Sequence, residues 1–171
     1  MSVLPKKLVD NFGRVHDYLR ISLTERCNLR CFYCMPEEGI ALREKSVFMS
    51  AEETFAIAKE FVSMGVKKIR LTGGEPLIKK NISKVLHDLA SLNVELAITT
   101  NGILVDQHID DFKNTGLQAI NVSLDSLDEK NFERISRRNY FQRIVNNIHL
   151  LVNEGFQTKI NVVVMRGVND H

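Results

Sequence analysis

All three cysteines of the chain, Cys27, Cys31 and Cys34, fall within eight positions of the stretch TERCNLRCFYCMP, in C-x3-C-x2-C spacing. Thiols set so close together suit metal ligation, redox exchange or disulfide bonding. An odd count leaves one thiol over in any disulfide scheme, and in a reducing compartment clustered cysteines are metal ligands or redox groups before they are staples. A structural zinc site takes four protein ligands, and no obvious fourth is at hand: His16 precedes the first strand and so points toward its other end. An iron-sulfur cubane has four irons, so three thiolates leave one iron free to accept a small molecule. That use accounts for the missing fourth cysteine. A Cys31/Cys34 redox pair ranks behind zinc, because it leaves Cys27 unexplained and lacks a thioredoxin-like setting.

Such thiols need a scaffold, and β-rich runs recur over residues 18–24, 67–72, 95–100, 119–125 and 158–165 with helix-like stretches between them. A capping box from Ser50 to Glu53 opens a helix that ends near Gly65, and further helices are predicted over 81–92, 106–114 and 141–154. Strands joined by helical crossovers are mostly parallel, which makes the fold α/β, either a doubly wound sheet or a complete or partial barrel. The cysteines then occupy the loop at the carboxyl end of the first strand, where parallel barrels carry their chemistry.

Alternation along the strands sorts their side chains into two faces. Leu19, Ile21, Leu23, Ile69, Leu71, Ile98, Ile120, Val122, Ile160, Val162 and Val164 form a face suited to helix packing. Arg20, Ser22, Thr24, Lys68, Arg70, Thr72, Thr99, Asn101, Asn121, Ser123, Asp125, Lys159 and Asn161 form the other. So many polar groups are costly inside a closed barrel, so the expectation is a wide, open barrel whose lumen binds a ligand. A flat two-layer sheet with one solvated face is the alternative.

With 171 residues, 44% of them hydrophobic, and a formal charge of +2, the chain suits one domain and has no basic footprint for nucleic acid. Residues 1–17 hold no signal-peptide-like apolar run, and no stretch of about eighteen apolar residues occurs, so the expected location is the cytoplasm, away from the membrane. His87, His108 and His149 lack ligand spacing and are expected in surface or core roles. The pairs Lys67-Lys68 and Lys79-Lys80 read as solvated ends of elements.

Together, the stretches FGRVHDYLRISLTERCNLRCFYCMP (12–36), GVKKIRLTGGEPL (65–77), ITTNGILV (98–105), INVSLDSLD (120–128) and KINVVVMRGVND (159–170) resemble the radical S-adenosylmethionine (SAM) superfamily. Within it they are similar to the molybdenum cofactor biosynthesis protein A family, the GTP 3′,8-cyclases. The resemblance implies a partial (β/α) barrel of the radical SAM type, truncated after about five parallel strands, with residues 1–171 as its incomplete core. It implies that Cys27, Cys31 and Cys34 hold a 4Fe-4S cluster, that Tyr33, Gly74 and Ser123 contact SAM, and that Arg20, Arg70, Thr99 and Lys159 bind GTP.

The implied reaction starts when an electron from the cluster splits SAM. The resulting 5′-deoxyadenosyl radical takes the hydrogen from C3′ of GTP, and that carbon attacks C8 of the guanine. A second 4Fe-4S cluster and a Gly-Gly tail belong, in the family, to a carboxyl-terminal region that is absent here, so the chain alone is expected to be inactive. A flavodoxin- or ferredoxin-type reductant and cyclic pyranopterin monophosphate synthase downstream are the implied partners, and a homodimer is left open. Another radical SAM enzyme of the peptide-modifying maturase type and a non-catalytic zinc or iron-sulfur module remain as alternatives.

Overall fold

A computed structural model of the chain describes residues 7–36, 38–41 and 43–170. In order, its elements are β1 (Tyr18–Ser22), α1 (Ala51–Ser63), β2 (Lys68–Thr72), α2 (Ile82–Ala90), β3 (Glu95–Thr100), α3 (Val105–Asn114), β4 (Ala119–Ser123), α4 (Glu129–Ser136), α5 (Phe141–Asn153) and β5 (Gln157–Asn161). The five strands pair in sequence order, every pair parallel, as the arc of a (β/α) barrel. Among the described residues no helix is long and apolar enough to cross a membrane.

Alternation decides which face the helices cover. Ile21, Ile69, Leu71, Ile98, Ile120 and Val122 are buried, and they share one core with Leu86 and Leu89 of α2, Phe112 of α3, and Ile144 and Leu151 of α5. Burying side chains of this size stabilises the fold by about 1.5–3 kcal/mol each. The polar positions stack across the other face: Arg20 lies opposite Arg70, and Thr99, Asn121 and Lys159 form one row.

The first crossover helix starts where its sequence says it should. Ser50 Oγ accepts from the Glu53 amide at 3.1 Å, and the Glu53 carboxylate accepts from the Ser50 amide at 2.8 Å. Both orphan donors are thereby satisfied. Ser50→Ala should cost about 1 kcal/mol, read as a lower urea midpoint with unchanged slope; an unaltered midpoint would leave the cap without energetic weight.

Three expectations need correction. The strands are shorter than their apolar runs, because β1, β4 and β5 stop at Ser22, Ser123 and Asn161, where the chain turns into loops. The face of Ile160, Val162 and Val164 is not packed under a helix: these residues are 45%, 48% and 68% exposed. They lie on and just beyond the edge strand, and past it Met165 and Asn169 close a turn on themselves (Met165 amide to Asn169 Oδ1, 2.6 Å). Finally, the two lysine pairs are not simply solvated ends. Lys79 Nζ donates to the carbonyls of Met49 at 2.8 Å and Leu23 at 3.4 Å, with burial pulling its pKa down, while Lys68 pairs with Glu95 across two strands.

His108 has the structural role expected of it. Asp111 on α3 accepts from Ser83 of α2 at 2.6 Å and lies 3.1 Å from His108 Nδ1. Burial pushes the Asp111 carboxyl up, but these bonds and the neighbouring imidazoles outweigh it and hold the group below the usual carboxylate range. The cluster ties α2 to α3.

Candidate active site

Loops from the carboxyl ends of four strands meet around the thiols. The loop after β1 runs beside the Gly73-Gly74-Glu75 segment after β2, with the Gly74 amide donating to the Thr24 carbonyl and the Glu75 amide to the Arg26 carbonyl, both at 2.7 Å. Gly73 has φ +142°, and a Cβ there would stand 2.5 Å from the Thr24 carbonyl oxygen. Only glycine permits that backbone contact. The cysteine loop is thus anchored to the second strand one residue before its first thiol.

Glu75 locks the third strand into the same junction. Its fully buried carboxylate accepts from the Leu77 amide at 3.0 Å, the Thr100 hydroxyl at 2.8 Å and the Asn101 amide at 2.7 Å. Burial pushes its pKa up to about 7 against the pull of those donors. Every partner is a donor, so the arrangement suits the ionised, acceptor-only carboxylate.

The fourth strand contributes Asp125. Its Oδ2 accepts from the Tyr33 hydroxyl at 2.6 Å and its Oδ1 from the Val163 amide at 2.9 Å, which joins the cysteine loop to the segment beyond β5. Burial, then the bond to Asp125, raises the Tyr33 pKa well above the ordinary phenol range. Tyr33 is therefore a neutral donor.

Cys27 and Cys31 are half-buried, and Cys34 is exposed. Burial raises the Cys27 thiol despite hydrogen bonds from the Leu29 amide and Asn101. Burial, followed by the charge of Asp125, pushes Cys31 up to about 11. A metal that takes these sulfurs as thiolates must displace their protons. Among the described residues no three His, Cys, Asp or Glu side chains are gathered to hold a single metal ion. A cubane needs only three sulfurs facing a common space, each taking a different iron. The three thiols do line one cavity.

That cavity, of about 430 Å³, brings together most of the residues singled out in the sequence. Cys27, Cys31, Cys34, Tyr33, Gly74, Ser123, Arg20 and Thr99 line it. Arg70 and Lys159 do not. The Arg70 guanidinium lies along the sheet, donating to the Tyr18 hydroxyl at 2.8 Å and the Ile98 carbonyl at 3.0 Å. Lys159 is exposed on the edge strand, in the row of Thr99. A larger cavity of about 670 Å³ follows β5 and α5 between Leu124, Val145, Ile148 and Val162, but it carries no thiol and is mostly apolar. The anchoring roles of Glu75 and Asp125 escape a strand-by-strand reading, although both stand in the quoted motifs. Their partners come from other strands.

Comparison with known proteins places these features in a family. The model of the Radical SAM superfamily matches residues 21–171. The mitochondrial GTP 3′,8-cyclase of Arabidopsis thaliana is 49% identical over 166 residues, covering 95% of this chain and 43% of that protein. GTP 3′,8-cyclase of Synechocystis sp. is 43% identical over 168 residues, covering 98% of this chain and 51% of that one. This chain therefore spans about half the length of these relatives. Among solved structures, Streptococcus suis SuiB bound to its precursor peptide SuiA superposes with a TM-score of 0.73 at 22% identity, over 88% of this chain and 33% of SuiB. At that identity the likeness concerns the fold.

Proposed function

The chain belongs to the radical SAM superfamily, and from that premise we propose that it is the radical SAM part of a GTP 3′,8-cyclase, acting on GTP in molybdenum cofactor biosynthesis. One observation carries the reading: the three thiols and the polar side chains of Ser22, Thr72, Thr99 and Ser123 open into the same cavity, and the cation Arg20 lines it. Membership implies SAM and a 4Fe-4S cluster as cofactors. In this proposal Cys27, Cys31 and Cys34 hold the cluster, which when bound supplies the electron that splits SAM reductively.

The chain's own residues bind and orient. Tyr33, held as a neutral donor by Asp125, and Ser123 on β4 flank the space assigned to SAM, and the Gly74 backbone approaches it without a side chain. Arg20 and Thr99 face GTP from the same cavity, with Arg70 and Lys159 contributing charge from farther along the same two rows. Cations suit a triphosphate, because hydrogen bonds to oxyanions in a shielded site are strong. The electron comes from a flavodoxin- or ferredoxin-type protein, and a reducing cytoplasm suits three free thiols. The second cluster of the family lies outside this reading, since the chain has no further cysteine.

A nucleotide titration tests the proposal in the polypeptide extended to the length of its relatives. Arg20→Ala should weaken GTP binding by about 1.5–3 kcal/mol, the worth of a hydrogen bond to a charged group, while SAM affinity holds. Arg70→Ala and Lys159→Ala should follow in the same direction with smaller losses, because neither side chain lines the cavity. Three variants that bind GTP like the parent would reduce the polar face to an ordinary wet surface.

A further inference from the structure

Cys27 differs from the other two thiols in what reaches its sulfur. The Leu29 amide points at Cys27 Sγ from 3.4 Å within the loop, and the Asn101 side-chain amide points at it from 3.7 Å, across from the end of β3. The orientation of that amide is set by its surroundings. Its oxygen accepts from the Ile103 amide at 3.1 Å, closing a turn, so its nitrogen must face the cysteine loop, where it also donates to Asn28 Oδ1 at 2.6 Å. The Asn101 main chain is fixed as well, through its own amide on the buried Glu75 carboxylate. Asn101 is nearly buried, at 7% exposure, so little water competes for these bonds.

Resting on the cluster assignment above, we propose that Asn101 is a positioning residue that sets the reduction potential of the cluster through Cys27. An N–H aimed at a ligand sulfur stabilises the added negative charge of the reduced form more than it stabilises the oxidised form, which raises the potential. Glu75 is the support that keeps the amide on target. The couple is a single electron, taken from the external reductant, and no bond in Asn101 is made or broken. The consequence is a cluster that the physiological donor can reduce more easily.

The experiment is a dye-mediated redox titration of the anaerobically reconstituted chain, followed by electron paramagnetic resonance. Asn101→Ser and Asn101→Thr each keep a neutral turn acceptor but cannot reach the sulfur, and the bulkier threonine covers the case in which serine loosens the loop. Asn28→Ala removes the other acceptor of the amide and leaves the N–H on Cys27 in place. At the parent's midpoint, the ratio of reduced to oxidised cluster should fall about tenfold in both Asn101 variants, a shift of about 59 mV for one electron. It should stay at the parent's value in Asn28→Ala. Iron-loaded Asn101 variants that keep the parent's midpoint would overturn the proposal while leaving the cluster assignment intact. A fall in Asn28→Ala equal to theirs would overturn it too, by assigning the effect to loop packing. If the parent itself takes up no cluster, the assignment fails first and the inference falls with it.

Discussion

Serine in place of Cys27, Cys31 or Cys34 is expected to take the reconstituted chain from one 4Fe-4S cluster to none. The three sulfurs line the cavity from a single loop, and the two carboxylates that share it are already engaged, Glu25 with Arg43 and Asp125 with Tyr33 and the Val163 amide. A serine hydroxyl is nearly isosteric but stays protonated where a thiol can become a thiolate, so the anchor is lost while packing is kept. Far-UV circular dichroism and the urea midpoint should therefore stay near the parent's values, since two of the thiols are only half-buried and the third is exposed. Iron and sulfide analysis after anaerobic reconstitution is the measurement. Stoichiometric zinc in place of iron in the parent would sink the cluster reading.

How far the sequence could be read depends on whether a feature is local. The Ser50 and Glu53 capping box is a four-residue event, and it forms as expected. Period-two alternation likewise separates Ile69 and Leu71, both fully buried, from Arg70 on the opposite face. Features that depend on what comes alongside are less legible. The apolar alternation of Ile160, Val162 and Val164 is as regular as that of β2, yet their burial would need a covering element that the described residues do not supply. Helix α4 is hard to see in the sequence because EKNFERIS offers only Phe132 and Ile135 as apolar anchors; its capping bond, from the Asn131 amide to Asp128 Oδ1 at 2.7 Å, is its clearest sign.

The candidate site shows the same division. Cysteine spacing is local and could be read directly. The junction that holds those cysteines is not, because Glu75, Asn101 and Asp125 act on partners 25 to 92 positions away. Polar residues on a strand face announce a wet surface or a ligand site alike. What separates the two is the approach of other loops, and that is a property of the assembled sheet.

Close approach also underlies the second large effect, expected from Gly74→Ala. A Cβ at position 74 would collide with the Arg26 carbonyl oxygen and stand 2.7 Å from both the Arg26 carbonyl carbon and the Glu25 carbonyl oxygen. These are backbone atoms with no rotamer to change, so relief requires the whole segment from Glu25 to Cys27 to shift. That segment is held by the 2.7 Å bonds from the Gly74 and Glu75 amides. Moving it breaks the bonds and carries the first thiol away from the other two. The expected cost is about 3 kcal/mol or more, at the upper end for overpacking, with cluster loading impaired in the fraction that still folds. Gly155 provides the comparison, because it has φ +78° and open space around it. Gly155→Ala should cost about 1–2 kcal/mol from backbone strain alone and leave iron uptake unchanged. Urea denaturation of the two variants, paired with iron analysis, separates a glycine needed for its backbone angle from one needed for room. A Gly74→Ala protein as stable as the Gly155→Ala protein, with a full cluster, would mean that the loop yields and that the contact between the first two strands' loops does not position Cys27.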